Sequence, residues 1–188
     1  MTIFNYGSIN IDHVYRVPHF VTPGETLASQ SYQPLLGGKG ANQSIALARA
    51  GANVCHIGRY GQGDEWVLTL LNAAGVDCSL VQAHPTPTGH AIIQVDDQAE
   101  NAIILYAGAN HSFIPNEFPA LLDKAQEGDW LLLQNECSHT ADMIKLATSR
   151  GLKVAFNPAP MTDDVQFLPL ASLSLLVVNE VEVTQLLN

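Results

Sequence analysis

Leu35-Leu36-Gly37-Gly38-Lys39-Gly40-Ala41-Asn42-Gln43 is the stretch on which the reading of this chain turns. Glycines, a lysine and two amides crowd together directly before a run of small residues with helical spacing. Glycine backbones take up positive φ and let a ligand approach closely. The helix start that follows offers unpaired N–H groups and a partial positive charge. The stretch therefore reads as the floor of a pocket. It is not the phosphate loop of nucleotide hydrolases, which needs G-x-x-x-x-G-K-[ST]. Lys39 is followed by Gly40, so the hydroxyl that would hold magnesium in such a loop is missing.

Outward from that loop the chain alternates strands and helices. Thr2 to Gly7 reads as a strand that leads into Ser8-Ile9-Asn10-Ile11-Asp12, with a solvated turn as the alternative for Asn10 and Asp12. Gly40 to Ala50 reads as a helix stopped by Gly51, and Asn53 to Arg59 as the next strand. Glu65 to Ala74 is expected to be helical, with Trp66, Leu70 and Leu71 on its buried face. Pro115 is expected to open a helix to about Gln126, and Asp129 to Gln134 to form a buried strand. A helix capped by Ser138 and running to Arg150, strands at Leu152–Phe156 and Leu173–Val178, and a last helix complete the series. Such alternation implies a parallel sheet with right-handed crossovers. Gly58 to Asp64 does not have the G-x-G-x-x-G spacing of a dinucleotide fingerprint.

A lighter kind of strand interrupts this pattern. His13–Val17, Ser29–Leu36, Thr88–Val95 and Ala102–Tyr106 are short and turn-rich, with Asp96-Asp97-Gln98 as a polar hairpin turn. These pieces are expected to pair into one accessory sheet.

Composition narrows the function. The 188 residues are 47% hydrophobic and 14% charged, enough for a packed domain. A net charge of −10 with only eight Lys plus Arg argues against nucleic acid and anionic membranes. No apolar run approaches the roughly 18 residues of a membrane span. The N-terminus has no basic region followed by an apolar stretch, so no secretion signal is expected. Cys55, Cys78 and Cys137 form no CxxC pair, which fits reduced thiols and a cytoplasmic location. The seven histidines have no metal-ligand spacing.

Polar residues recur at the ends of the strands: Asn10 and Asp12, then Glu136, Asn157 and Asn179. Parallel strands bring their C-terminal ends to one edge, so these groups should converge on the Gly37–Asn42 loop. Asp12, Glu136, Asn10 and Asn42 make an acceptor-rich, amide-rich set, suited to a neutral polyhydroxylated ligand. Each alone could equally be a helix cap or turn residue, and Glu136 would be favoured near a helix N-terminus in any case.

Gly7-Ser8-Ile9-Asn10-Ile11-Asp12-His13, Thr22-Pro23-Gly24-Glu25-Thr26, Gly37 to Gln43, Ala107-Gly108-Ala109-Asn110 and Asn157-Pro158-Ala159-Pro160 together resemble the ribokinase branch of the PfkB carbohydrate kinases. The match is in order and covers nearly the whole chain. The resemblance implies an α/β fold: an open, mostly parallel sheet flanked by helices, with a small β-sheet lid from about 12–36 and 88–107. It implies ATP-dependent phosphorylation of D-ribose at the 5-hydroxyl. By motif match, Asn10, Ile11, Asp12, Gly38, Lys39, Gly40, Ala41, Asn42 and Glu136 would bind the sugar. Ala91 and Ile93 would cover it from the lid. Asn179 and Glu182 match an N-x-x-E motif that would lie near the ATP phosphates and the Mg2+ shell. A monovalent cation such as K+ and a homodimer through the lid are also implied.

Two departures from the pattern stand out. His90 occupies a lid position that is usually apolar in this branch. The second family signature, D-T-x-G-A-G-D, with its general-base aspartate and glycine-rich anion hole, does not occur in these residues. Residues 1–188 are therefore expected to be the N-terminal part of a PfkB-type kinase domain, inactive alone. The alternatives are another sugar or nucleoside kinase of the family, or a non-catalytic short paralogue that binds a sugar or a partner.

Overall fold

The computed structural model describes residues 1–187. Its larger sheet has six strands: β1 (Ile3–Tyr6), β4 (Val54–Gly61), β5 (Asp77–His84), β8 (Trp130–Gln134), β9 (Lys153–Asn157) and β10 (Leu175–Leu176). Their order is β10-β9-β8-β1-β4-β5, and every neighbouring pair is parallel. β1 is central because both of its edges are paired and both of its faces are covered, as parallel sheets require. Phe4 and Tyr6 point into one core layer with Leu131, Leu133 and Phe156, and Val54 packs into the other. The first layer is closed by α4 (Thr140–Ser149) through Met143, Ile144 and Ala147.

The opposite layer is closed by α1 (Lys39–Arg49) and α2 (Trp66–Ala73). α1 buries only small side chains, Gly40, Ala41 and Ser44, so its backbone lies close against the sheet. It ends as expected at Gly51, at φ 89°, where Ala52 N–H returns to Leu47 O and Gly51 N–H to Ala48 O.

The light strands form a second sheet of four: β2 (Asn10–Arg16), β3 (Ser31–Gly37), β6 (Gly89–Val95) and β7 (Asn101–Tyr106), in the order β3-β2-β6-β7. β2 runs antiparallel to β3 and parallel to β6, and β6 and β7 form the hairpin around Asp96–Gln98. The two sheets meet where β1 passes through Gly7–Ile9 into β2.

Several expectations are corrected. Asn10 and Asp12 are in β2, not in a turn. α2 buries Val67 and Leu71, while Trp66 and Leu70 stay exposed, so its inward stripe is rotated from the expected one. β5 was not anticipated; as an edge strand with Cys78, Leu80 and Val81 in contact with the core it has little apolar signal. The expected helix from Pro115 to Gln126 is a 3-10 turn at Pro115–Glu117 followed by the single turn α3 (Phe118–Leu121). Ser138 does not cap α4. Its hydroxyl donates to Phe113 O, and His139 at φ 55° begins the helix. The last strand shrinks to Leu175–Leu176, and α5 (Glu180–Leu187) follows. No helix among the described residues is long and apolar enough to cross a membrane.

Candidate functional site

The pocket floor is built where two backbones cross. Gly40, at the start of α1, lies against Gly7, at the end of β1; a Cβ on Gly7 would come within 2.6 Å of Gly40 Cα. Ala41 N–H donates to Ser8 O at 2.9 Å and Gly40 N–H to Ser8 Oγ at 3.2 Å. Gly38 takes φ 91°, with a Cβ there meeting Asn10 N and Ser8 O at 2.9 Å, so only glycine fits. Ala41 is fully buried beneath the loop.

Glu136 ties this loop to the end of β8. Its Oε2 accepts Lys39 N–H at 3.0 Å and the Ser8 hydroxyl, and its Oε1 accepts Lys39 Nζ at 3.1 Å. The Glu136 side chain is only 10% exposed, against 39% for Lys39. Lys39 is thus spent on Glu136, and this pair shapes the loop rather than leaving a free cation in it.

Asn10 and Asp12 lie on one face of β2, two residues apart. Asn10 Oδ1 accepts from Asn110 Nδ2 at 2.8 Å, and Asn110 Oδ1 accepts Ile9 N–H at 2.9 Å. Asn10 is therefore oriented with its own N–H2 free to donate. Asn110 was quoted in the Ala107–Asn110 motif but not foreseen as the residue that sets Asn10. Asp12 is different: its half-buried carboxylate has no hydrogen-bond partner among the described residues. Burial first, and then the negative Glu136, push its pKa above the usual carboxylate value, while Lys39 and His13 pull the other way.

β-sheet register decides the remaining residues. Ala91 pairs with Asp12 and Ile93 with Val14, so both lie on the Asp12 face of the four-stranded sheet. Ile11 pairs with Leu36 and His90, on the opposite face. Of Ile11, the backbone is the part that lies beside Asp12. His90 likewise faces away, against Tyr106 and His13, with ring centroids 5.0 and 5.7 Å apart. Asn42 is at the first turn of α1, exposed, with N–H bonded to Gly38 O at 3.0 Å.

A cleft of about 260 Å³ opens between β7 and this edge, lined by Asn10, Tyr106, Asn110, Asn135 and Glu136. That is below the roughly 300–1,000 Å³ of pockets for drug-sized ligands, so it suits a small metabolite. A larger cleft of about 350 Å³, lined by Met161, Thr162, Asp163, Gln166, Gln185 and Leu186, contains neither Asn10 nor Glu136.

Asn179 and Glu182 lie three strands from β1, at the end of β10. They form a reciprocal cap: Asn179 Oδ1 accepts Glu182 N–H at 2.8 Å, and Glu182 Oε2 accepts Asn179 N–H at 3.0 Å. Magnesium takes six oxygen ligands in near-octahedral geometry, and one carboxylate already used in a cap does not supply them. Among the described residues no group of three or more His, Cys, Asp or Glu is arranged to hold a metal. These residues do not build a magnesium site of their own.

A match to the pfkB family of carbohydrate kinases spans residues 2–188. The ribokinase of Haemophilus influenzae is 42% identical over 167 residues, which are 85% of this chain and 54% of the relative. The crystal structure of ribokinase from Cryptococcus neoformans var. grubii serotype A in complex with ADP superposes with a TM-score of 0.85 at 38% identity, over 99% of this chain and 58% of that one. Arabidopsis thaliana ribokinase complexed with ribose and ATP gives a TM-score of 0.82 at 25% identity, over 98% of this chain and 62% of that one. The chain belongs to the pfkB family of carbohydrate kinases. It spans a little over half the length of the Haemophilus influenzae and Cryptococcus neoformans ribokinases.

Proposed function

We propose that this chain carries the sugar-binding half of a ribokinase, holding D-ribose so that its 5-hydroxyl receives the terminal phosphoryl group of ATP. The observation that carries this reading is Asp12, a half-buried carboxylate with no donor among the described residues, beside an oriented Asn10. An unpaired acceptor in such a place is stabilised by ligand hydroxyl groups. Asp12 accepts from two sugar hydroxyls, and Asn10 Nδ2 donates to a sugar oxygen. Gly38, Gly40 and Ala41 give the close-packed floor, Asn42 adds its exposed amide, and Glu136 offers the remaining lone pair of Oε1 while holding Lys39 in place. Ala91 and Ile93 form the apolar cover. The names of the relatives support the substrate, one of them having been solved with ribose and ATP.

Asn179 is proposed to lie beside the ATP phosphates, acting through the start of α5, with Glu182 reaching Mg2+ only through water. Bound magnesium would offset phosphate charge during transfer. Dependence on Mg2+ and on a K+-like cation comes to this chain from its family alone. The reading includes a homodimer through the lid, supported by Ile103, Ile104, Leu105 and Tyr106, which are between 48% and 66% exposed in one strand. It also includes a cytoplasmic location, supported by the three unpaired cysteines. Because the D-T-x-G-A-G-D signature is not among these residues, the chain by itself is proposed to bind ribose without transferring phosphate.

Isothermal calorimetry of D-ribose into the purified chain tests this. A saturable heat that Asp12→Ala removes is the expected result. A folded chain giving no heat at millimolar ribose would overturn the sugar site, and turnover of ribose with ATP would overturn the proposed inactivity.

A further inference from the structure

Beneath the Gly7–Gly40 crossing lies a polar cluster that takes no direct part in the proposed site. Asn5, Ser44 and His56 are each completely buried. They come from β1, α1 and β4, and their bonds form one connected set. His56 Nε2 faces Gly7 O at 3.1 Å. A carbonyl only accepts, so Nε2 carries the proton and the neutral ring offers Nδ1 as an acceptor. The Ser44 hydroxyl, at 2.8 Å, must then donate to Nδ1. Its oxygen is left to accept from Asn5 Nδ2 at 2.7 Å, and the second Asn5 Nδ2 proton goes to Gly40 O at 2.8 Å. With the ring neutral, the Gly7 and Gly40 carbonyls fix the donor directions of the set.

The two ends of this set are the two backbones that cross. One end grips Gly7, which leads to Ser8, Asn10 and Asp12. The other grips Gly40, which closes the Gly37–Asn42 loop. The slot is also cut to size: a Cβ on Gly58, two residues along β4, would come within 2.6 Å of His56 Nε2. Asn5 Oδ1 further accepts Gln134 Nε2 at 3.0 Å, which also donates to Gln43 Oε1 at 2.7 Å, so α1 is held at a second point.

We propose that Asn5, Ser44 and His56 act as one positioning unit that clamps the Gly7–Gly40 crossing and so sets the Asp12 strand against the Gly37–Asn42 loop. The inference rests on the sugar-site reading for its functional consequence, but not for the clamp itself. A buried network of this kind is costly when partly satisfied, so breaking one member leaves the others unpaired inside the protein. The three side chains should therefore fail together.

The test uses the whole chain with Asn5→Val, Ser44→Ala and His56→Phe singly and combined, read in two ways. In D-ribose calorimetry each single change is expected to weaken binding tenfold or more. The triple variant should lose no more than the worst single one. In amide hydrogen exchange, which needs no ligand, each single change is expected to speed exchange at Ala41 and Asn42 at least tenfold and to leave Leu131 and Leu133 in β8 unchanged. Losses that multiply across the three changes, or exchange that rises uniformly through the chain, would overturn the unit. Should the unaltered chain bind no ribose, the sugar reading falls, and the exchange pattern alone decides the clamp.

Discussion

The carboxylate of Asp12 lies over the Cα of Gly37, so close that a methyl group on Gly37 would overlap its Cγ and both oxygens. Gly37 is the register partner of Asn10, and Asp12 leans back across the antiparallel pair from two positions along β2. The absence of a side chain at Gly37 is what allows the carboxylate to sit over its Cα. Gly37→Ala is therefore expected to swing Asp12 away. Ribose affinity should fall at least about tenfold, the scale of one lost charged hydrogen bond. Calorimetry beside a urea melt checks this, and unchanged affinity in a folded variant would show that Asp12 is not held by Gly37.

The same carboxylate should weaken the fold. Its raised pKa means that the ionised form is less favoured in the folded chain than in the unfolded one. That penalty is complete at pH values above the folded pKa and is relieved as pH falls through it. Asp12→Asn removes the charge, so the denaturation midpoint should rise at pH 8 while ribose affinity drops. The stability difference from the unaltered chain should shrink as pH falls through the raised folded pKa and be gone below the ordinary carboxylate value of 3.8. A variant less stable at pH 8 would mean that Asp12 has a structural partner.

These relationships were legible in the sequence to different depths. The Gly37–Asn42 loop, the strand ends and the four light strands carry local signals, glycine spacing and period-two alternation, and their meeting follows from parallel topology. The faces of the four-stranded sheet depend on register, and one residue of register separates Ala91 from His90. The motif match alone could not tell that Ile11 turns its side chain away from Asp12. Asn5, Ser44 and His56 carry no signal at all, since three isolated polar residues in otherwise apolar or small-residue segments become a set only when β1, α1 and β4 are packed. β5 and the broken helix after Pro115 were missed for a simpler reason: weak apolar periodicity leaves tertiary packing to decide.

His56 gives the chain a pH signature of its own. Burial pushes its pKa down from 6.5 to about 4, against a smaller upward pull from the Gly7 carbonyl. As pH falls below 6.5 the unfolded chain takes up a proton that the folded chain refuses. Stability from this group is complete above 6.5 and is lost toward pH 4, by at most about 3 kcal/mol. Urea melts between pH 7 and 4 should show a shallower loss for His56→Phe than for the unaltered chain. Parallel curves would mean that His56 is charged or exposed in solution.

His90 provides the sharpest check on the lid. It departs from the apolar residue usual at this position in the resembling branch, a departure that could bear on lid packing or sugar choice, with a plain solvent-facing histidine as the favoured sequence reading. Its register partners are Ile11 and Tyr106, whereas Asp12 pairs with the next residue, Ala91. Its ring is occupied on that far face, with Nδ1 against Thr88 O at 3.1 Å. His90→Leu should therefore leave ribose affinity within about twofold, a change of roughly 0.4 kcal/mol. Ala91→Leu, one residue on, inserts a bulky group where Ala91 is 2% exposed and should abolish measurable binding. A large loss in His90→Leu together with a tolerant Ala91→Leu would mean that the lid presents its other face to the sugar.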